Sequence, residues 1–342
     1  MLIKVLPTDS YDITSPELNS YFFEEVLRQY SLNSLPLYFQ TLSPTSKIYN
    51  CTNITEIRSL LSNHSNFVNI SLNSKIYKHV SISDLPFILA SYFLFGTISI
   101  GSSFFNEEDG IAEFICKIKC LDRLFLIDNF CFINNGSEDR TPQLLSSLSE
   151  YDSRINTKNN SAPSSYSQGF KSAIKMCNTF NSSSILLVHS DLEIDIFESY
   201  RSWIYRCFIS SSCEILPFNS HNNVLLSKRY ARSYISRIFT FFNTVFASLL
   251  LFGGKHVDFN SSLKIFPNHP SLNFPISNDY TFDLRLVNCL SRVYDIFCLP
   301  PLKIINHDRT SGNSSWSKNF SAIIKLSTTF LFTSITLFCL NR

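Results

Sequence analysis

A strong net charge is absent from this 342-residue chain. Its 29 Lys and Arg residues nearly balance 27 Asp and Glu residues, which leaves a formal charge of +2 at pH 7. A general nucleic-acid binder usually shows a strong basic excess, so we expect no nucleic-acid partner. Glycine is also scarce, with 8 residues against 32 Phe. We attribute that imbalance to codon bias and draw no functional conclusion from it.

Paired cysteines are absent as well. The ten cysteines form no CxxC pair and no Cys/His cluster with the spacing of a zinc site. We therefore interpret them as buried free thiols in a reducing cytoplasm. No signal-peptide pattern is visible at the start, where Met1–Leu6 is soon followed by Pro and Asp. These absences together predict a cytoplasmic location.

No uncharged hydrophobic run reaches the roughly 20 residues that a membrane-spanning helix needs. Leu85–Ile100 is almost wholly apolar, but Pro86 and Gly96 interrupt it. We predict a helix there, followed by the first strand of the next domain. The stretch between Lys325 and Arg342 is uncharged but also too short. We expect this tail either to lie in the membrane interface or to pack on the domain.

The chain nevertheless has enough apolar residues, 44% of the total, for a sizeable core. From Thr97 onward, strand and helix patterns alternate, which predicts a mainly parallel sheet with helices on both faces. Apolar spacing predicts helices within 108–119 and 169–177, and the polar segment 148–168 is predicted to be a loop. Residues 1–95 show no catalytic signature, although a capped helix is predicted from Ser15 to about Tyr30.

Three predicted strands each end in a polar turn. Phe105–Ile111 follows the first strand, Asn134–Thr141 ends the second, and His189–Glu193 follows the apolar run Ile185–Val188. Ligands of open α/β sheets bind at the carboxyl ends of the strands. We therefore expect the three turns to form one site.

These turns, in this order, resemble those of the family 2 glycosyltransferases, which transfer a sugar from a nucleotide-diphosphate donor. The resemblance implies an α/β GT-A (Rossmann-like) fold with a mixed, mainly parallel sheet and helices on both faces. We assign the catalytic domain to residues 96–319, a small N-terminal α/β appendage to residues 1–95, and an apolar tail to residues 320–342.

The first turn resembles the family's N-E-E turn, which implies that Asn106 and Glu107 lie beside the nucleotide. A second interpretation, compatible with the first, is a capped helix start with Asn106 as N-cap. The second turn resembles the D-D/N-G-S-x-D-x-T motif, which implies that Asn134, Asn135 and Asp139 hold the base and ribose. The alternative for that segment is an ordinary Asn-Gly turn.

The third turn falls where the family has Asp-x-Asp, whose carboxylates hold Mg²⁺ or Mn²⁺ against the donor diphosphate. Asp191 matches the second acidic position, whereas His189 departs from the first. Imidazole suits Mn²⁺ better than Mg²⁺. The resemblance thus implies a divalent cation with Asp191 and His189 as ligands. The alternative is a buried strand end that is followed by a chance acidic residue.

Later segments resemble the branch that glycosylates polyprenyl phosphates. Asp258–Phe266 is similar to D-x-x-S-G-F-R-L-F, with Lys264 in the place of Arg, and Arg309 begins a match to R-x-x-G-x-S. Lys keeps the charge but loses bidentate phosphate geometry. Asn278–Arg285 fits two patterns: one makes Asp279 a catalytic base, and the other is the Y-x-F-D-L helix of this branch. The resemblance implies catalytic roles for Asp258, Asp279 and Arg309.

The resemblance therefore implies an inverting, metal-dependent glycosyltransferase. Its acceptor is expected to be a lipid phosphate, such as a polyprenyl phosphate, or an envelope glycan, and the tail would bring the site to the inner face of the cell membrane. Two alternatives stay open. One is a sugar-nucleotide-binding protein without turnover, and the other is a scaffold of polysaccharide assembly with residues 1–95 as partner surface.

Overall fold

A computed structural model describes the secondary structure of most of the chain from residue 83 onward and of shorter pieces before it. The described residues are 3–5, 26, 37–41, 48–51, 67–72, 75–81, 83–161, 164–190, 196–197, 200–201, 203–205, 223–226, 234–254, 259, 263–269, 281–298 and 320–340.

An eight-stranded sheet forms the centre of the molecule. Its strands are β1 (Ile3–Val5), β6 (Ile98–Phe104), β7 (Ile127–Asn134), β8 (Ile155–Asn159), β9 (Ser184–Val188), β10 (Asn223–Leu226), β11 (Leu263–Pro267) and β12 (Asp295–Cys298). Their spatial order is β1-β12-β10-β11-β9-β6-β7-β8. All neighbouring pairs are parallel except those of β11, which is antiparallel to β10 and β9. The predicted mixed, mainly parallel sheet is confirmed.

A second, four-stranded sheet is formed by β2 (Leu37–Thr41), β3 (Ile48–Cys51), β4 (Phe67–Leu72) and β5 (Lys75–Ser81). These strands pair antiparallel in the order β3-β2-β4-β5. This sheet lies within the segment expected to be an appendage. Strand β1 comes from the same N-terminal segment but does not belong to this second sheet. It joins the central sheet instead, where Ile3 lies beside Ile296 of β12.

The described helices are α1 (Leu85–Phe95), α2 (Ile111–Cys120), α3 (Thr141–Tyr151), α4 (Tyr166–Cys177), α5 (Tyr234–Leu251), α6 (Phe282–Ser291) and α7 (Phe320–Leu340). The helix and strand predicted within 85–100 are present as α1 and β6. The predicted loop 148–168 was wrong in part, since it contains β8. Only Ile155 of β8 is buried, so this edge strand lacks the apolar pattern that would reveal it.

The core has two parts, one on each face of the central sheet. Side chains of β9 alternate between them: Leu186 and Val188 pack with residues of α1 and α2, whereas Ile185 and Leu187 pack with residues of α4, α5 and α6. This alternation follows from the two-residue period of a strand. Helix α1 belongs to the first part of the core because it is apolar on nearly all sides. The predicted helices on both faces are confirmed.

Helix α7, the predicted tail, is docked on the domain. Phe330 and Leu337 are 4% and 5% exposed and belong to the core, where the Phe330 ring lies 5.5 Å from that of Phe259. Asn243 Nδ2 of α5 donates to Ser327 Oγ of α7 at 3.1 Å. Of the two arrangements expected for the tail, Phe330 and Leu337 therefore follow the second, packing on the domain. Among the described residues, no helix is long and apolar enough to cross a membrane.

The cysteines only partly match the expectation of buried thiols. Cys131 of β7 and Cys177 of α4 are buried together, and burial raises the pKa of the Cys177 thiol, as does its contact with Cys131. Cys116, Cys120 and Cys339 are exposed, so the expectation was wrong for them.

Candidate active site

The polar turns meet at one edge of the sheet because β9, β6 and β7 are parallel neighbours. Asn106 and Glu107 follow β6, Asn134 is the last residue of β7, and His189 and Ser190 follow β9. Phe104 lies directly beside Asn134 in the register of the two strands. This edge is the place where open α/β sheets bind ligands.

The turns after β6 and β7 are hydrogen-bonded to one another, and we call residues 106–108 and 137–141 the turn clamp. Three consecutive backbone N–H groups of the first turn donate to side-chain oxygens of the second: Asn106 N to Ser137 Oγ (2.9 Å), Glu107 N to Thr141 Oγ1 (2.9 Å) and Glu108 N to Asp139 Oδ2 (3.1 Å). Two backbone N–H groups of the second turn donate to side-chain oxygens of the first: Glu138 N to Asn106 Oδ1 (2.9 Å) and Arg140 N to Glu108 Oε2 (3.0 Å). The two turns therefore hold each other in place.

Asn106 has a left-handed backbone, with φ of 53°. Asn tolerates this conformation better than most residues because its short polar side chain bonds to nearby backbone groups. The interpretation of Asn106 as a helix N-cap was wrong, since α2 begins only at Ile111 and Gly110 precedes it. Asn106 instead directs its side chain to the neighbouring turn.

Asp139 uses both carboxylate oxygens within the clamp. Besides accepting from Glu108 N, it accepts from Thr141 N through Oδ1 at 3.0 Å. Desolvation raises the pKa of Asp139, but the hydrogen bonds from Thr141 and Glu108 outweigh it and bring the pKa below its ordinary value. The residue is thus held as a carboxylate, with oxygen lone pairs beyond those used by the clamp.

Asn134 and Asn135 are both buried, at 3% and 4% exposed. Asn134 Oδ1 accepts from Ser137 N at 3.1 Å and so closes the turn. Asn135 connects β7 to the segment before α4: its Nδ2 donates to Ser164 O at 2.9 Å, and its Oδ1 accepts from Asn160 Nδ2 at 3.0 Å. Both amides therefore shape the edge of the sheet, and their contact with a base or ribose stays a prediction.

Glu107 links the β6 turn to the β9 turn. It is 9% exposed, and its Oε1 lies 3.5 Å from Ser190 Oγ, a long hydrogen bond. Ser190 immediately precedes Asp191, which lies outside the described residues. The carboxylate of Glu107 is thus next to the segment where a metal ligand was predicted.

His189 belongs to a chain of polar side chains that runs into the core. Its Nε2 lies 2.9 Å from Tyr166 Oη, which donates to Asp283 Oδ2 at 2.9 Å, and Asp283 Oδ1 lies 2.6 Å from Lys264 Nζ. We call these four residues the buried polar network. Tyr166 begins α4 and Asp283 lies in the first turn of α6, so the network joins these two helices to β11 and to the residue after β9. Sequence reasoning missed Tyr166 entirely, and it named Asp283 only as part of a motif.

Lys264 is buried in an ion pair. The side chain is 1% exposed, and its ammonium group pairs with Asp283 inside the protein. A buried ammonium needs such a partner, since an unpaired buried charge is very costly. The ammonium group is thus held by Asp283, and a role for Lys264 in binding the donor stays a prediction.

Four predicted site residues lie outside the described part of the chain: Asp191, Asp258, Asp279 and Arg309. Their roles stay predictions. Among the residues that the structure does describe, no group of three or more His, Cys, Asp and Glu side chains is arranged to hold a metal ion.

Comparison with solved structures identifies the fold. Glucosyl-3-phosphoglycerate synthase from Mycobacterium tuberculosis, in complex with Mn²⁺, UDP-glucose and phosphoglyceric acid, superposes with a TM-score of 0.51 at 13% identity, over 75% of this chain and 83% of that one. A second crystal structure of that complex gives 0.50 at 14% identity, over 74% and 83%. S. aureus TarS gives 0.40 at 14% identity, over 71% and 69%. The fold is that of the GT-A glycosyltransferases.

One protein-family model matches the part of the sequence that contains the site. A family model described as "Glycosyl transferase family 2" matches residues 99–196. This segment contains all of β6 except its first residue, β7 to β9, the turn clamp and His189, so the polar edge of the sheet lies within the matched residues. No curated protein sequence matches the chain.

Proposed function

We propose that the chain moves a sugar from a nucleotide-diphosphate donor to a phosphate-bearing or glycan acceptor, with inversion at the anomeric carbon. The observation that carries the proposal is the turn clamp, which holds Asn106, Glu107, Asn134 and Asp139 together at the carboxyl edge of β6 and β7. Carboxylate and amide groups at this edge suit the hydroxyl and N–H groups of a nucleoside. The mycobacterial enzyme in complex with UDP-glucose supports a donor of this class.

A divalent cation fits the donor groups next to this edge. Glu107 supplies a carboxylate, Ser190 a hydroxyl and His189 an imidazole, and Asp191 follows directly in sequence. Nitrogen and oxygen donors together favour Mn²⁺ over Mg²⁺, and the mycobacterial complex contains Mn²⁺. When bound, the cation neutralises the charge of the departing nucleoside diphosphate.

The transfer needs one bond made and one bond broken. An acceptor oxygen attacks the anomeric carbon, and the bond from that carbon to the diphosphate oxygen breaks, with the electron pair leaving on the nucleoside diphosphate. A phosphate acceptor is already anionic and needs no base. A sugar hydroxyl must lose its proton, and Asp279 is then the base.

A polyprenyl phosphate is our first choice of acceptor, with Asp258 and Arg309 on the acceptor side. The mycobacterial complex holds phosphoglyceric acid, which also bears a phosphate and supports this chemical class. A free phosphorylated acid and a lipid phosphate share that chemistry. The transfer assay should therefore offer both, as phosphoglyceric acid and as a short polyprenyl phosphate.

A lipid acceptor agrees with the surface of α5 and α7. Both helices lack acidic residues, their only charged residues are Arg237 and Lys325, and they expose large apolar side chains: Phe241, Phe242, Leu249, Ile324, Phe332, Ile335 and Leu340. Cationic helices with exposed apolar groups bind anionic membrane interfaces. The proposed occupant of this surface is thus an anionic lipid leaflet, at the inner face of the cell membrane.

Flotation with vesicles tests the membrane contact. Truncation after Lys318 would remove the core residues Phe330 and Leu337, so the sharper variant is Phe332→Ser with Ile335→Ser. We expect it to float less with phosphatidylglycerol vesicles than the native chain. Val293→Ser, which changes an exposed apolar residue elsewhere, is the matched control. Equal flotation of all three proteins would show that this surface of α5 and α7 does not bind the membrane.

Donor binding and turnover test the function itself. Thermal shift with UDP-, GDP- and dTDP-sugars should single out one donor class, because a ligand of the native state raises its stability with log concentration. Asp191→Asn should then abolish transfer while the fold persists. His189→Asp restores the family's usual acidic pair and should bind Mg²⁺ more tightly. Unchanged turnover of Asp191→Asn would refute the proposed role of that residue.

The burial of Lys264 favours a second candidate, a sugar-nucleotide-binding protein of polysaccharide assembly without turnover. With its ammonium group paired to Asp283, one expected phosphate contact is removed. This candidate requires donor binding in the thermal-shift assay with neither transfer nor donor hydrolysis in the presence of Mn²⁺. Any metal-stimulated release of nucleoside diphosphate would exclude it.

A further inference from the structure

The buried polar network determines which nitrogen of His189 carries a proton. Lys264 and Asp283 form an ion pair at 1% and 5% exposed, so Asp283 is a carboxylate that accepts hydrogen bonds. Tyr166 has a single hydroxyl proton, and it donates that proton to Asp283 Oδ2. Toward His189, at 2.9 Å, the tyrosine oxygen can therefore only accept. His189 consequently donates through Nε2–H, and in the neutral ring the lone pair lies on Nδ1.

Aromatic packing holds the same ring in orientation. The His189 centroid lies 5.0 Å from that of Phe170 and 5.7 Å from that of Tyr166, in a tilted and an edge-on arrangement. Phe170 in turn stacks on Phe282, the neighbour of Asp283, at 6.1 Å. The imidazole is thus fixed both by a hydrogen bond at Nε2 and by contacts with its faces and edges.

We propose that Tyr166 and Asp283 are positioning residues that hold His189 as the Nε2–H tautomer, so that Nδ1 is the nitrogen that ligates the divalent cation. This inference rests on the metal-dependent function proposed above. Metal-ligating histidines characteristically donate their other ring N–H to a protein acceptor, which fixes tautomer and orientation. Here a tyrosine is that acceptor, and a buried carboxylate with its lysine partner orients the tyrosine. In this arrangement the imidazole of His189 serves as the metal ligand at the position where the family has a carboxylate.

Tyr166→Phe is the variant that tests the network, because it removes the acceptor oxygen but keeps the ring that packs on Phe170. Tyr151→Phe is the matched control, since Tyr151 is 88% exposed at the end of α3. Mn²⁺ binding is measured without donor or acceptor, by electron paramagnetic resonance of the free ion. We expect the affinity of Tyr166→Phe to fall by about tenfold or more, as for other losses of such acceptors, and that of Tyr151→Phe to be unchanged.

A second measurement needs no metal. In ¹⁵N spectra of the native, metal-free chain, His189 should give the signature of the Nε2–H tautomer, assigned by comparison with His189→Gln. An Nδ1–H signature would overturn the inference alone. Equal Mn²⁺ affinities of the native chain and Tyr166→Phe would do the same. A native chain that binds no Mn²⁺ would overturn the proposed metal dependence together with this inference.

Discussion

The turn clamp and the buried polar network lie at the same edge of the sheet, but they are built on opposite principles. The clamp joins two turns through backbone N–H groups and short side chains, largely at the surface. The network joins side chains only, and its ion pair is 1% and 5% exposed. Except for the buried bond from Glu107 N to Thr141, loss of one bond in the clamp leaves groups that water can reach, whereas loss of one partner in the network leaves a buried charge without its counter-ion.

Helix α4 carries one residue of the network and packs beside the ends of β6 and β7, from which the turns of the clamp leave. Tyr166, its first residue, belongs to the network, and Gly169, one turn later, lies against Ser103 of β6 and Asn135, the residue after β7. Gly169 has no side chain because that contact leaves no room for one. The position of α4 therefore sets the distance between the proposed nucleoside edge and His189. The four predictions below test this comparison, from the largest expected effect to the smallest.

Asp283→Ala should have the largest effect, because it leaves the Lys264 ammonium buried without its carboxylate. We expect the free energy of unfolding to fall by about 3–5 kcal/mol, measured by urea denaturation. Lys264→Met combined with Asp283→Leu removes both charges and should cost much less. A double variant as unstable as Asp283→Ala would contradict the view that the buried charge, and not the packing, is responsible.

Gly169→Ala should disturb the packing of α4, which carries Tyr166 of the network, against the ends of β6 and β7. A Cβ there would lie 2.1 Å from Ser103 Oγ and 3.2 Å from Asn135 Cγ. Overpacking of this kind costs about 1–3 kcal/mol, which a thermal melt can measure. Ser103→Ala in the same chain removes the nearest atom and should recover part of the loss. If Gly169→Ala and the native chain have the same melting temperature, α4 does not pack against Ser103 as closely as described.

Thr141→Val should weaken only the clamp. It removes the oxygen that accepts Glu107 N–H at 2.9 Å while keeping the shape of the side chain. We expect a loss of about 1 kcal/mol in stability, together with weaker binding of the donor that the thermal-shift panel selects. Ser147→Ala, on the exposed face of α3, is the control. If the donor affinity of Thr141→Val is unchanged, the clamp does not shape the nucleoside site.

Acid should loosen the clamp through Asp139, with the smallest effect. Its pKa is lowered in the folded chain, so its contribution is complete above the unfolded pKa of about 3.9 and is lost as pH falls through the folded pKa. The stability difference between the native chain and Asp139→Asn should therefore be constant from pH 7 to 5 and shrink below about pH 4. A difference that grows on acidification would reverse the sign and reject the assignment.

The sequence predicted the parts of the site whose partners are close along the chain. Asn106 and Asp139 stand in turns directly after apolar strands, and the donors and acceptors of the clamp are separated by only about 30 positions. The family match over residues 99–196 covers the same part. By contrast, polar β8 offered no apolar alternation, and so its segment was predicted to be a loop.

What the sequence by itself determined is therefore the class of fold and the order of the polar strand ends, because periodicity and turn chemistry depend on neighbouring residues. Only the tertiary structure decided what Lys264 pairs with, which nitrogen of His189 carries its proton, and that Phe330 and Leu337 face the core. The bond between Tyr166 and Asp283 spans 117 positions. The partner of a buried polar group is chosen by which helices pack on the sheet, and no local pattern records that choice.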